Sequence, residues 1–171
     1  ITIWSTTNTA SAEYQAAGDW TGVLFAVQAI GSILWAVVLP MFRKTKVAYS
    51  LSLVLGAVGF ISTYFIHDQY MLFVSFLLIG CAWAAMLALP FAMLTNSLSG
   101  KSLGSYMGLF NCTICLPQIV ASLVGGFLLT MFGGDVVDGV QTGQIVMLVV
   151  AGVALLLAAV AVFGISTKRH E

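Results

Sequence analysis

The chain has 171 residues, of which 60% are hydrophobic and only 7% are charged. Water-soluble domains carry about 25% charged residues, so this composition excludes an ordinary soluble domain and indicates that lipid is the solvent. Six basic and six acidic residues give a formal net charge of zero, so no basic surface for a nucleic acid is indicated. The first expected partner is therefore the lipid bilayer.

Five apolar stretches follow one another along the chain, at about residues 20–42, 47–66, 71–94, 103–132 and 145–165. Each has about 20 residues or more, which is enough to cross the hydrocarbon core as a helix. The fourth stretch exceeds a straight crossing, so we expect it to tilt, to begin at the interface, or to bend near Pro117. The predicted fold class is an all-α membrane protein, a bundle of five complete transmembrane helices joined by short connections.

Charged residues divide between the two sides of this five-span arrangement. The basic side carries Arg43, Lys44, Lys46, Lys101, Lys168 and Arg169, and the acidic side carries Glu13, Asp19, Asp68, Asp135 and Asp138. Basic connections are held in the cytoplasm during insertion, so we predict that the basic side and the C-terminus are cytoplasmic. Residues 6–19 would then lie outside, and residues 1–4 would be the outer end of a sixth helix.

Signals for catalysis or metal binding are weak. No charge lies inside an apolar stretch, so the sequence shows no intramembrane proton relay. Cys112 and Cys115 have the CxxC spacing, but no second pair follows, and with Cys81 they lie in apolar runs where we expect small core hydrophobes. Neither a phosphate-binding loop nor a Ser-His-Asp set is present. The chain is predicted not to be an enzyme and to hold no metal or cofactor.

The fourth stretch has the most informative pattern, because small and polar residues recur on one helical face at spacings of three and four. These residues are Gly104, Gly108, Asn111, Cys115, Gln118 and Ser122. The small residues Gly104, Gly108 and Ser122 would permit close helix packing, whereas the amides of Asn111 and Gln118 are too costly to face lipid. Amides bonded between helices and amides that bind a ligand explain the pattern equally well.

Two other spans supply further candidates. Gln28 is an amide at the middle of the first span, and Trp83 lies near the middle of the third, deeper than the interfacial belt where tryptophan usually sits. Sugar sites commonly pair aromatic faces with amides, which makes both residues candidates for substrate binding. For Trp83, packing in the protein core is the alternative interpretation.

Four segments carry a resemblance to a known family. They are residues 87–94 (Leu-Ala-Leu-Pro-Phe-Ala-Met-Leu), 104–111 (Gly-Ser-Tyr-Met-Gly-Leu-Phe-Asn), 116–120 (Leu-Pro-Gln-Ile-Val) and 132–134 (Phe-Gly-Gly). Together they resemble the glycoside–pentoside–hexuronide cation symporters of the major facilitator superfamily, most closely the sucrose and maltose transporter branch. The Pro-Phe-Ala motif and the segment from Asn111 to Gln118 are the most specific parts of the likeness.

The resemblance implies a transporter of twelve helices in two six-helix halves, which carries a sugar together with a proton or a sodium ion. The five spans then resemble helices eight to twelve, and residues 1–4 would close the seventh. The chain would be an incomplete C-terminal half, whose partner is a missing N-terminal half with the acidic coupling residues. Helices seven, eight, ten and eleven of such transporters line the cavity, which favours Asn111, Gln118 and Gln28 as sugar-binding residues. As a departure, residues 42–46 lack the full Gly-Asp-Arg signature of facilitator loops.

The predicted function is symport of a disaccharide such as sucrose or maltose with a cation, by alternating access. The predicted location is a bacterial inner membrane, with several spans and a cytoplasmic C-terminus. No cofactor is expected besides the coupling ion. Two alternatives stay open: a facilitator that exports another substrate class, such as a drug or an organic acid, and a non-transporting membrane scaffold or channel subunit.

Overall fold

A computed structural model describes residues 10–96, 103–132, 134–137, 140–141 and 144–164. Its helices are α1 (Ala12–Val38), α2 (Thr45–Phe65), α3 (Leu72–Asn96), α4 (Leu103–Phe132) and α5 (Ile145–Gly164), and a 3-10 turn, Leu39–Met41, follows α1. Two short strands between α4 and α5, Val136–Val137 and Val140–Gln141, pair antiparallel. All five helices are long and apolar enough to cross a membrane. The predicted all-α membrane class is confirmed, and the chain is a multi-pass integral membrane protein.

The first helix begins eight residues before the predicted span at residue 20, at Ala12. The reason is local capping, because the Ser11 side chain accepts a hydrogen bond from the Tyr14 backbone N–H at 3.1 Å. Polar residues such as Glu13 and Asp19 then continue the helical hydrogen bonding outside the apolar stretch. The predicted span marked the apolar stretch from residue 20, whereas the helix itself includes residues 12–19, since hydropathy marks the membrane crossing and not the end of the helix.

Other boundaries follow from turn chemistry. Asp68 accepts hydrogen bonds from the backbone N–H groups of Tyr70 at 2.8 Å and Met71 at 3.1 Å, just before α3 begins. Pro40 falls in the 3-10 turn that ends the first span. Pro117 lies inside α4, which nevertheless stays helical from Leu103 to Phe132, a length of about 45 Å at 1.5 Å per residue.

Four of the helices pack side by side in the order α1, α3, α2, α5. Glycines allow their backbones to come close: a Cβ on Gly31 of α1 would lie 2.6 Å from the carbonyl oxygen of Leu77, and one on Gly59 of α2 would lie 2.6 Å from that of Ser75. Gly80 of α3 faces the Gln28 carbonyl oxygen in the same close way. Membrane helices gain little free energy from hydrophobic burial against one another, because lipid is as apolar as their side chains. Small residues at helix crossings instead permit the close van der Waals contact that stabilises the bundle.

Hydroxyl groups add hydrogen bonds across these crossings. Between α1 and α3, the Ser32 hydroxyl donates to the Gly80 carbonyl oxygen at 2.9 Å. Trp35 Nε1 donates to Ser52 Oγ at 2.8 Å between α1 and α2, and Ser50 Oγ donates to the Ala159 carbonyl oxygen at 3.0 Å between α2 and α5. Each such bond contributes about 0.6 kcal/mol in a membrane, so the bundle depends on several of them together with close packing.

The fourth helix packs much less than the other four. No α4 side chain that the structure describes is buried, and its contacts are with α5 and, through Phe110, with Phe91 of α3, where the ring centroids are 6.3 Å apart. Cys112 and Cys115 are exposed on this helix, and Cys81 of α3 is half-buried. The expectation of a core position was therefore wrong for Cys112 and Cys115, because an apolar run does not determine which helices become neighbours.

The described charges separate along the bundle axis. Trp20 stacks on Phe73 near the beginning of α3, whereas Leu39, just after α1, shares a core cluster with Ala85, further along α3. These two helices are therefore parallel. The name acidic end is used for the end of the bundle at which α1, α3 and α5 begin. The name basic end is used for the opposite end, at which α2 begins. The acidic end carries Glu13, Asp19, Asp68 and Asp135, and the basic end carries Arg43, Lys44 and Lys46. Lys101, Asp138, Lys168 and Arg169 lie outside the described residues.

This separation leads to a prediction about orientation. A cysteine at Lys44, in a background without the three native cysteines, should react with an impermeant thiol reagent only from the cytoplasmic side, because basic connections are retained there. A cysteine at His67 should react only from outside; both native side chains are exposed. Labelling of Lys44→Cys from outside in sealed cells would reverse the proposed orientation.

Candidate functional site

The four packed helices α1, α3, α2 and α5 border an open cavity of about 460 Å³. Its lining comes from α1 (Phe25, Gln28), α2 (Phe60, Thr63), α3 (Phe76, Ile79, Trp83, Met86) and α5 (Leu148, Ala151, Ala154, Leu155). The cavity extends from the acidic end to about the middle of the bundle. Small-molecule sites have volumes of about 300–1,000 Å³ and mostly apolar walls with a few polar groups, and this cavity has both properties.

Four of the twelve residues that line the cavity are aromatic, and each of α1 and α2 supplies one while α3 supplies two. Phe25 of α1 and Phe76 of α3 meet edge to face, with ring centroids 6.1 Å apart and ring planes at 88°. Trp83 is 52% exposed, so its indole faces the open cavity and is not enclosed in a packed core. Large, rigid rings of this kind offer a solute contact area at a low cost in side-chain entropy.

Gln28 is the main hydrogen-bonding group of the cavity. Its side-chain amide makes no hydrogen bond to any residue that the structure describes, while its backbone carbonyl accepts from Ser32 Oγ at 3.0 Å. The other polar side chain, Thr63, already donates to the Phe60 carbonyl oxygen at 2.6 Å. A half-buried amide in apolar surroundings gains from a partner, so Gln28 is available to a solute or to water.

The four predicted site residues fall into two groups. Gln28 and Trp83 line the same cavity although they belong to different helices. Asn111 and Gln118 are exposed on α4, make no hydrogen bond with the described residues, and are not part of the cavity lining. Their role in substrate binding stays a prediction.

The small residues of α4 also stay a prediction as packing sites. A Cβ on Gly104 or on Gly108 would meet no atom within 4 Å among the described residues. Ser122 is exposed, and its hydroxyl donates to the Ile119 carbonyl oxygen of its own helix at 2.8 Å. The close helix contacts that the structure does contain use other glycines, on α1, α2, α3 and α5.

Several lining residues were missed by the sequence analysis, although their spacing was a usable signal. Phe76, Ile79, Trp83 and Met86 recur at intervals of three and four along α3, and Phe25 lies one turn before Gln28 on α1. Extending the helical faces of Gln28 and Trp83 would have found them. The resemblance implied a lining from helices seven, eight, ten and eleven, whereas α2 and α5, which correspond to nine and twelve, complete this wall and α4 does not contribute to it.

Metal or redox chemistry gains no support from the described part of the chain. No group of three or more His, Cys, Asp or Glu residues lies close enough there to hold a metal ion. Cys112 and Cys115 are both free and exposed on α4. The polar side chains in the cavity lining are Gln28 and Thr63.

Comparison with protein families agrees with this picture. The family model of the Major Facilitator Superfamily matches residues 2–171, nearly the whole chain. The chain belongs to the major facilitator superfamily. No solved structure matches it. Members of this superfamily are membrane transporters and are generally not enzymes, so the aromatic cavity of this facilitator lies within a transport protein.

Proposed function

We propose that this facilitator is part of a secondary transporter that carries a disaccharide together with a proton or a sodium ion. The observation that carries the proposal is the meeting of Gln28 and Trp83 in one cavity at mid-depth. Secondary transporters bind their substrates near the middle of the bilayer, at the interface between moving units. The resemblance to the sucrose and maltose symporters supplies the substrate class.

The two residues have complementary roles toward a sugar. The Trp83 indole offers a flat face for the apolar C–H side of a pyranose ring, because it is half exposed toward the cavity. The Gln28 amide can donate to one sugar hydroxyl and accept from another, since it has no partner among the described residues. This pairing binds a ring that has one apolar and one polar side.

Alternating access requires a second unit against which this bundle moves. In the proposal, the chain is the C-terminal half of the transporter, and the basic end faces the cytoplasm of a bacterial inner membrane. Asn111 and Gln118 lie seven residues apart on α4, which places them on similar faces about 10 Å apart along the helix. They do not line the aromatic cavity, and in the proposal they contact the sugar from the face that meets the other half.

A second candidate function is supported by the polarity of the cavity. Apart from Gln28 and Thr63, every lining residue is apolar, and the Thr63 hydroxyl is already bonded. Such a wall also suits an apolar aromatic solute, as in a facilitator that exports lipophilic compounds. Sugar symport is preferred because the family resemblance supports it and because Gln28 has no partner among the described residues.

Transport assays with the full-length protein in proteoliposomes distinguish these functions. An inward proton or sodium gradient should drive accumulation of radiolabelled sucrose or maltose, and collapse of the gradient by an ionophore should abolish it. Export of a lipophilic dye without sugar accumulation would instead support the second candidate. Absence of both activities in vesicles that contain correctly oriented, monodisperse protein would refute both.

Substitution of Gln28 gives a residue-level prediction. Gln28→Leu replaces the amide with an apolar group of similar size, so sugar affinity should fall by about 0.5–1.5 kcal/mol, or about 2- to 13-fold. Asn111→Leu and Gln118→Leu should have effects in the same direction. Apparent affinity is measured by sugar-dependent uptake, and thermal stability in detergent is measured on the same preparations.

Thr21→Val serves as the matched control, since the Thr21 hydroxyl is bonded to the Ala17 carbonyl oxygen at 2.9 Å and lies outside the cavity lining. Its uptake should be normal. Unchanged sugar affinity in all three amide variants would contradict the site assignment, whereas lost stability with normal affinity would show that the amides connect helices.

A further inference from the structure

A second groove lies at the basic end, away from the aromatic cavity. It has a volume of about 280 Å³. Its walls come from α1, the 3-10 turn, α2 and α3: Ala36, Leu39, Pro40, Phe42, Thr45, Ala48, Ala88, Leu89, Ala92 and Met93. It shares no residue with the aromatic cavity, so it is a separate feature of the fold.

Two basic residues adjoin the lining of this groove along the chain. Phe42 and Thr45 both line it, and the two residues between them in the chain are Arg43 and Lys44, whose side chains are exposed. None of the lining residues is acidic. The described carboxylates lie at the acidic end, so no described acidic residue competes for these two cations.

The backbone beside the two cations adds to the positive potential. Lys44 is the N-cap of α2, and its own side chain makes no capping hydrogen bond to that helix. The beginning of a helix carries about half a positive charge and orients backbone N–H groups outward. An anionic group near Arg43 and Lys44 would therefore also meet the start of α2.

The apolar wall of the groove favours an anion that also carries an apolar chain. A free inorganic phosphate gains nothing from Leu39, Phe42 and Leu89, whereas a phospholipid places its phosphate at the cations and its acyl chain along such side chains. The groove also belongs to a bundle whose helices are long and apolar enough to cross a membrane, so lipid is its natural neighbour.

We propose that this groove is a binding site for an anionic phospholipid. The phosphate is held by Arg43, Lys44 and the beginning of α2, and the first part of an acyl chain lies against Leu39, Phe42 and Leu89. The proposal is independent of the transported substrate, because it uses none of the residues of the aromatic cavity. Basic pockets between helices at a membrane surface recognise lipid headgroups in this way.

Lipid binding to the purified full-length protein tests the proposal. Native mass spectrometry in detergent should detect bound phosphatidylglycerol in preference to phosphatidylcholine of the same acyl chains. The double variant Arg43→Gln/Lys44→Gln should bind phosphatidylglycerol about 30-fold more weakly, the change expected for two basic side chains near an anionic lipid. The charge-conserving variant Arg43→Lys/Lys44→Arg should retain the preference.

Three controls make the outcome decisive. Inorganic phosphate, tested alone, should not compete at concentrations where the lipid saturates, since it lacks the apolar contact; competition would show a phosphate site and overturn the lipid assignment. Ala88→Leu, which narrows the groove without removing charge, should also weaken lipid binding. Equal binding of both lipids to the wild-type protein, or an undiminished preference in the monodisperse double variant, would refute the site.

Discussion

Replacing Gly80 with alanine is expected to destabilise the bundle by about 1–3 kcal/mol, the usual cost of forcing an extra methyl group into a close-packed contact. The new Cβ would meet the Gln28 carbonyl oxygen and lie 2.9 Å from the Ser32 backbone nitrogen. Both are backbone atoms, which cannot move aside as a flexible side chain can. The helices would have to separate, and the hydrogen bond from the Ser32 hydroxyl to the Gly80 carbonyl oxygen would weaken.

The measurement is thermal unfolding in detergent, together with the yield of monodisperse protein. Gly22→Ala on α1 is the matched control, because a Cβ there meets nothing within 4 Å among the described residues. Alanine also favours a helix over glycine by about 1 kcal/mol, so the control should be as stable as the wild type or more stable. Equal unfolding temperatures for the Gly80→Ala variant and the control would contradict the close α1–α3 crossing.

Replacing Trp83 with alanine is expected to reduce solute affinity more than any other single change in the aromatic cavity. A tryptophan side chain covers up to about 250 Å², and a solute that covers the exposed half would lose about 2–3 kcal/mol, or about 30- to 150-fold in affinity. Protein stability should change less, because 52% of the residue is already exposed.

Two variants separate solute binding from a structural role. Trp83→Phe keeps an aromatic face and should retain part of the affinity. Leu87→Ala, on the same helix, removes a side chain that is 61% exposed and belongs to neither cavity, so uptake should be normal. If Trp83→Ala transports with unchanged apparent affinity, the aromatic cavity is not the solute site, whether the solute is a sugar or a lipophilic compound.

Sequence reasoning recovered the helices accurately where apolar length alone defines them. The predicted spans at residues 47–66 and 145–165 correspond closely to α2, Thr45–Phe65, and α5, Ile145–Gly164. A helix in a bilayer must be apolar over the whole thickness of the hydrocarbon core. The length of an apolar stretch can be read directly from the sequence, without knowledge of contacts between helices. The start of α1 was missed because it depends on a single capping hydroxyl, that of Ser11, and on helix continued outside the apolar stretch.

Contacts between helices could not be read in the same way. Gly104 and Gly108 have the spacing typical of close packing, yet a Cβ on either would meet no described atom within 4 Å beyond the backbone of its own helix. Gly80 has no glycine four residues away in its own helix and still makes a close crossing. Close packing requires complementary surfaces on two helices. The spacing of residues along one helix does not show which other helix supplies the second surface. For the same reason, the sequence could not show which helices together line the aromatic cavity.

The sequence by itself determined that the chain is a helical membrane protein, that a polar amide lies at mid-span in α1, and that an indole lies at mid-span in α3. Only the tertiary structure decided that these two groups share one cavity, because α1 and α3 are neighbours although α2 separates them in the chain. It also decided that α2 and α5 complete the wall and that α4 remains outside it. Hydrophobicity determines that each helix lies in the membrane. The close contacts of glycines and the hydrogen bonds of hydroxyl groups determine which helices pack against one another.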